Sequence, residues 1–484
     1  MEKMMISIKR VKAIGITILC SVVLQFLSLH SYAKSIDRDT SLAGEITMLI
    51  HEKTINNELY FPASVKRFYA GSGYKPSWIK GPVNSAKTWD AMLMIDCVLQ
   101  FGLSYDDYHP KELLYDKLHI MLDKGNEISN AQKARFDIML TDALLAFINH
   151  LHYGKLNPNF SSAQIDAGIP GNVYAELVLA GAMQQPDFMS AVLAVQPKSK
   201  EYYALQRYLY KVKGLQLDDC YEVPDADVRK VAINMERLRW ADVEESSYIQ
   251  VNIPTYTLSF HQPDTTYLFK IIVGKPSTPT PTLLSGISYF TTAPEWKVPA
   301  NIFTKELLPK AIKNTAYLEE NHIAIYNNKG VYVEPLLNNL LSVKKNSKNY
   351  YARQSSGCDN SLGLIVFRFA NIYDVYLHDT PEQSLFKKKD RALSHGCIRV
   401  EQAEKLASLL LTNDDAESKI ADMHKAVMAY TTQNFKLKKQ VPINITYLTC
   451  EMKEGELIIY KDIYNLDKSL EMALYNDSPV LTMR

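Results

Sequence analysis

From Ile46 to about Tyr210, apolar residues recur every three or four positions, the period of helices buried along one side. KARFDIMLTDALLAFINHLHYG sets Phe136, Leu140, Leu144, Phe147 and Leu151 on one broad face, Gly154 closes it, and Pro158 follows. Further helices are predicted over 88–102, ending near Gly102, over 174–193 and over 202–213. VRKVAINMERLRW adds one carrying Val231, Met235 and Leu238 together. After Glu245 the period drops to two. SYIQVNIPTYTLSFHQPDTTYLFKIIVGK alternates β-branched and aromatic residues around PDTT, which predicts a pair of strands over 247–275. Strands are expected over 362–370 and 373–380, parted at Asn371, with helices over 303–314 and 402–411. VPINITYLTC and GELIIYKDI return to strand texture. The chain therefore reads as α+β: an all-helical front half, then a mainly β domain decorated with helices.

The first segment stands apart. Lys3, Lys9, Arg10 and Lys12 precede AIGITILCSVVLQFLSL, and Ser31 and Ala33 occupy small-residue positions before a cut. That order predicts a secretory signal over 1–33 and an exported, periplasmic chain. An uncleaved inner-membrane anchor is the other reading, although the run is short for a span. The 484 residues exceed what one core usually serves, so two or more domains are expected. With 54 basic and 53 acidic residues, nothing in the overall charge argues for nucleic acid as a partner. Cys97, Cys220, Cys358, Cys397 and Cys450 remain after the signal, too few and too scattered for a disulfide framework. The aromatics of RFYAGSGYKPSWI, residues 67–79, suit either a ligand or anchorage beneath a loop, and anchorage is preferred.

Chemistry concentrates in YLHDTPEQSLFKKKDRALSHGCIRV, residues 376–400. A thiolate at Cys397 is a competent nucleophile, and a nearby imidazole can take its proton. His395 lies two residues away and would share its face in a strand. His378 ends a predicted strand and could return to Cys397 across the loop, so spacing leaves the base open. Gly396 allows close backbone approach, local N–H groups could hold an oxyanion, and Arg399 offers a fork to a carboxylate. Zinc ligation by this cluster is disfavoured because HGC is not a usual metal spacing, so no metal or other cofactor is expected. An inert core cysteine or a disulfide with Cys358 are the remaining readings.

His378 followed by Ser394, His395, Gly396, Cys397, Ile398 and Arg399 resembles the signature of the L,D-transpeptidases of the YkuD superfamily, in their large periplasmic form. The likeness runs through NMERLRW, VGKPSTPTP, WKVPANI, ELLPK and VYLHDTPEQSLF. In the front half it includes SYDDYH and LHYGKLNP. The resemblance implies a signal over 1–33, a helical scaffold domain over 40–229 and an L,D-transpeptidase catalytic domain over 230–484 with a C-terminal extension and a substrate-capping insertion over 296–350. It implies Cys397 as nucleophile and His378 as base, oriented by the backbone carbonyl of Asp379. His395 and Gly396 would support the pocket or oxyanion region, and Arg399 and Ser394 would line the donor pocket. Trp296 would belong to the cap, although a packing role for it is an equally good reading.

The implied substrates are peptidoglycan stem tetrapeptides, as donor and as acceptor, joined through a cysteinyl thioester into a three-to-three cross-link with release of D-Ala. An L,D-carboxypeptidase or cross-link hydrolase would use the same thioester, and a wall-binding protein with a degenerate site is the non-enzymatic alternative. No specific protein partner is implied. Two departures stand out. The wall-binding module common between the two domains of large relatives is replaced by the short 211–229 connector, and the turn after Arg353-Gln354 becomes SSGCD, introducing Cys358. The polar 303–350 stretch, lacking a continuous buried pattern, is expected to be a mobile insertion.

Overall fold

The computed structural model describes residues 41–79, 85–123, 127–215, 225–240 and 245–475. The predicted signal segment and the 216–224 part of the connector lie outside these residues. Among the described residues, no helix is long and apolar enough to cross a membrane. The chain divides into two compact units. The first comprises residues up to Ile95 with Tyr108–Ala146 and Asp166–Ala191; the second comprises Asp96–Asp107, Phe147–Ile165 and Val192 onward.

The first unit is helical, and two of its buried carboxylates, Asp137 and Asp142, are spent on loop backbone. Asp137, in the Asn130–Tyr153 helix, accepts from the N–H groups of Ser77, Trp78 and Ile79 and from the Tyr69 hydroxyl at 2.6 Å. One turn on, Asp142 accepts from Tyr60 N and Phe61 N at 2.8 and 2.9 Å. Such charge-assisted bonds fix loops that have no strand or helix to satisfy them. Tyr69 and Trp78 are buried, so the 67–79 aromatics anchor the loop. The helix predicted over 174–193 is two, Ala175–Ala182 and Phe188–Leu193. Pro186 cannot donate to the helical ladder, and Asp187 Oδ1 accepts from Ser190 N to begin the second helix.

Among the described residues of the second unit, fifteen strands follow the Asp225–Arg239 helix. The 247–275 stretch holds three strands rather than two: β1 Tyr248–Asn252, β2 Thr257–His261 and β3 Thr266–Gly274. The extra reversal is NIPTY, where Tyr256 adopts φ 55°. Then come β4 Leu283–Thr292, β5 Trp296–Lys297, β6 Ile323–Asn327, β7 Tyr332–Val333, β8 Tyr350–Gln354 and β9 Ile365–Phe369. They are followed by β10 Leu377–His378, β11 Ala392–Ser394, β12 Ile398–Val400, β13 Gln433–Thr446, β14 Cys450–Lys453 and β15 Glu456–Ile459. The order β3-β12-β10-β9-β4-β13-β1-β2 closes on itself through β2–β3, and β11 adds alongside β3. Closure removes unpaired edges. Strand residues alternate between one shared apolar core (Ile249, Phe260, Phe290, Phe367, Leu377 and Ile398 among them) and the opposite face. The Ala403–Asn413 helix packs Leu406 and Leu410 into that core.

The insertion has a core of its own, contrary to the expectation that it lacks a buried pattern. Strands β5-β8-β6-β7 form a second sheet, and Phe303, Leu307, Leu308, Ile325, Leu340 and Val343 are buried together beside it. These residues come from short helices and strands of different period, so no single repeat betrays them. The predicted 303–314 helix exists but carries a π-turn at Phe303–Leu307, which ends two residues before Pro309. A wider turn accommodates the missing proline N–H.

Candidate active site

β10 and β12 run parallel, with Leu377 opposite Ile398 and His378 opposite Arg399. Since Leu377 and Ile398 enter the core, Tyr376, His378, Cys397 and Arg399 belong to the opposite face. There they line a cleft of about 760 Å³ with Ser394 and His395, walled on its far side by Trp296, Lys305, Glu306 and Lys310 of the insertion. All predicted side chains except Asp379 and Gly396 line it.

His378 is 5% exposed. Its Nδ1 lies 2.6 Å from the backbone carbonyl of Asp379, which fixes the tautomer with Nδ1–H donating and leaves Nε2 as the basic nitrogen. Burial, reinforced by the Arg399 cation, lowers its pKa to about 3, so the ring is neutral. Burial also raises the Cys397 thiol, against the opposing pull of the Tyr376 backbone N–H and hydroxyl and of the Arg368 guanidinium. The resting pair is therefore thiol and imidazole, not thiolate and imidazolium. The Asp379 carboxylate faces away, accepting from Leu364 N at 2.9 Å and Gln383 Nε2 at 3.1 Å.

The turn carrying Cys397 is built by hydrogen bonds. Ser394, 2% exposed, donates from Oγ to the Cys397 carbonyl at 2.5 Å and accepts from Gly396 N at 3.1 Å. Ser394 thus shapes the turn, and the Gly396 N–H is already committed. Gly396 sits at φ 121°, a region L side chains rarely adopt. Its carbonyl accepts from Thr280 Oγ1 at 2.8 Å. This bend interrupts the strand, so His395 does not share a strand face with Cys397. Instead His395 Nε2 lies 2.6 Å from Glu306 Oε1 on the insertion. One guanidinium nitrogen of Arg399 pairs with Glu382, while its buried Nε has no partner among the described residues.

Two residues of this site escape motif reading. Tyr376 stands two positions before His378 and so shares its face, a signal that period-two alternation carries. Its ring lies under the Arg368 guanidinium at 4.6 Å, and Trp296 reaches its hydroxyl. Glu306 lies 89 residues from its partner His395, and no sequence spacing points to the pairing. Among the described residues, no three His, Cys, Asp or Glu side chains cluster to hold a metal ion.

A closed barrel bearing a cysteine and a carbonyl-oriented histidine under a folded insertion defines a thiol-dependent acyl-transfer enzyme. Residues 246–422 match the L,D-transpeptidase catalytic domain of the YkuD family and residues 63–209 match the Scaffold domain. The chain therefore carries a Scaffold domain followed by a YkuD-family L,D-transpeptidase catalytic domain, in an α+β architecture. It is similar to a Haemophilus influenzae protein carried under the provisional name L,D-transpeptidase, at 27% identity over 439 residues, covering 89% of this chain and 83% of that one.

Proposed function

We propose that the protein is a periplasmic peptidoglycan L,D-transpeptidase that forms three-to-three cross-links through a Cys397 thioester. The observation that carries the reading is the shared face of Cys397 and His378 within the cleft, with His378 Nδ1 held by the Asp379 carbonyl. His378 Nε2 takes the thiol proton as sulfur attacks the carbonyl of the third stem residue. The C–S bond forms, the C–N bond to D-Ala breaks, and the departing amine takes the proton from His378. The side-chain amine of a second stem then attacks the thioester, giving its proton back through His378 as the new C–N bond displaces sulfur. The Cys397 N–H, which no described group accepts, suits the oxyanion better than the committed Gly396 N–H. Lys305 and Lys310 offer cations in the cleft for stem carboxylates, beside the carboxylates of Glu306 and Asp374.

The same thioester serves an L,D-carboxypeptidase, and the insertion, by covering the cleft, favours amine over water. Mature protein incubated with a defined tetrapeptide donor and an amine acceptor decides between them by mass spectrometry. Cross-linked dimer and released D-Ala are expected. Tripeptide alone would replace transfer with hydrolysis, and no covalent adduct at Cys397 would overturn both.

A further inference from the structure

On the face of the barrel turned away from its core, β1 and β2 place only uncharged polar or aromatic groups: Tyr248 opposite His261, Gln250 opposite Ser259, Asn252 opposite Thr257. They floor a hollow of about 740 Å³ and a smaller one of about 170 Å³ beside it. The rim holds Lys198, Lys200, Glu201 and Glu245, two charges of each sign. Tyr248 and His261 stack with ring centroids 4.5 Å apart. The buried Nε2 of His261 has no hydrogen-bond partner among the described residues. Buried polar groups without partners are uncommon unless something else meets them.

This floor is not isolated. Asn444 of β13 pairs with Gln250 on one side and Leu284 of β4 on the other, and it lines both this hollow and a neighbouring one of about 670 Å³. Tyr373 lines that second hollow and also the Cys397 cleft. A single cross-strand row, Leu284–Asn444–Gln250–Ser259, thus leads around the barrel wall from the cleft side to the stacked pair, across three strand spacings or about 14 Å.

We propose that this row is a track for an uncharged polysaccharide strand, the glycan of the wall polymer, which lies along the barrel while its attached peptide enters the cleft. The inference rests on the wall-polymer substrate proposed above. Uncharged hydroxyl and amide groups with an aromatic platform match a sugar's hydroxyls and its apolar ring faces. A peptide adding as a strand is excluded because β1 and β2 are each paired on both sides. Balanced rim charges give a polyanion nothing to follow.

The test titrates the mature chain with oligomers of N-acetylglucosamine carrying no peptide, reading amide shifts or exchange protection. Changes should gather at 248–261 and at Asn444, and the Gln250→Ala/Ser259→Ala double variant should weaken binding by about tenfold. Turnover of a free tetrapeptide should stay within experimental error of the parent, while retention on insoluble wall polymer falls. Oligomers that perturb only the Cys397 cleft, or a double variant retained on the polymer as well as the parent, would overturn the track. If the parent fails to turn over tetrapeptide, the enzymatic reading falls, yet the sugar titration still reports on the track.

Discussion

Gly363 holds φ 63°, and a Cβ there would come within 2.6 Å of the Asp379 side chain. Because the Asp379 carbonyl orients His378, Gly363→Ala should displace the base without touching it. The expected cost is about 1–3 kcal/mol in stability, with a larger loss of acylation, checked by denaturation and by single-turnover mass spectrometry. His378→Gln should lose acylation by about a hundredfold or more and Cys397→Ala should form no thioester, whereas a wild-type rate in His378→Gln with a dead His395→Gln would reverse the assignment. The buried neutral ring also has a pH signature. Its folded pKa of about 3 lies below the ordinary histidine value of about 6.5. The unfolded chain therefore binds more protons once pH drops below about 6.5, and the stability present above that value is lost as pH falls. Replacing His378 by Gln should flatten the stability profile between roughly pH 6 and 4. An unchanged slope would show that the ring is not held neutral by burial.

Elements of strong, single period are the ones that sequence exposes. Asn130–Tyr153 and Ala403–Asn413 follow their apolar stripes, and Gly102 and Gly154 end segments at φ 66° and 84° as their positions suggest. Failures arise where tertiary structure overrules the local period. The strand predicted over 373–380 shrinks to Leu377–His378 because the Asn371 side chain gathers Tyr373 N, Val375 N and two carbonyls into a turn. The cap core is assembled from pieces too short to announce themselves. Leu340, fully buried within it, tests whether the cap is a cooperative element: Leu340→Ala should destabilise it by about 2–5 kcal/mol. Hydrogen exchange should then rise across 298–352 together, leaving β9 and β13 protected. Uniform fast exchange of this region in the parent would instead return it to a mobile insertion.

At the scale of the second unit, the C-terminal segment is fastened by a buried ionic knot. Asp467 accepts from Lys230 Nζ at 2.5 Å, Arg237 Nη1 at 2.6 Å and Thr449 Oγ1 at 2.8 Å. Burial alone would raise its pKa, but Arg237 and Lys230 prevail and lower it. Asp467→Ala strands Arg237, which is 7% exposed, and should cost about 3–5 kcal/mol in a denaturant titration. A cost near zero would mean that the knot is dispensable. Long-range joints of this kind, like the seating of β13 between β1 and β4, leave no trace in local sequence. One such joint reaches further. The chain leaves the barrel at Trp296 and returns at Gln354, and these two residues face each other across β5 and β8. The cap is therefore a detour whose exit and re-entry share one doorway, so its removal leaves only a gap that a tight reverse turn can bridge. Such an architecture lets lineages exchange the roof over a thiol while the barrel beneath it is inherited intact. A protein with 298–352 excised should still fold as a barrel and still bear its cysteine, open to water.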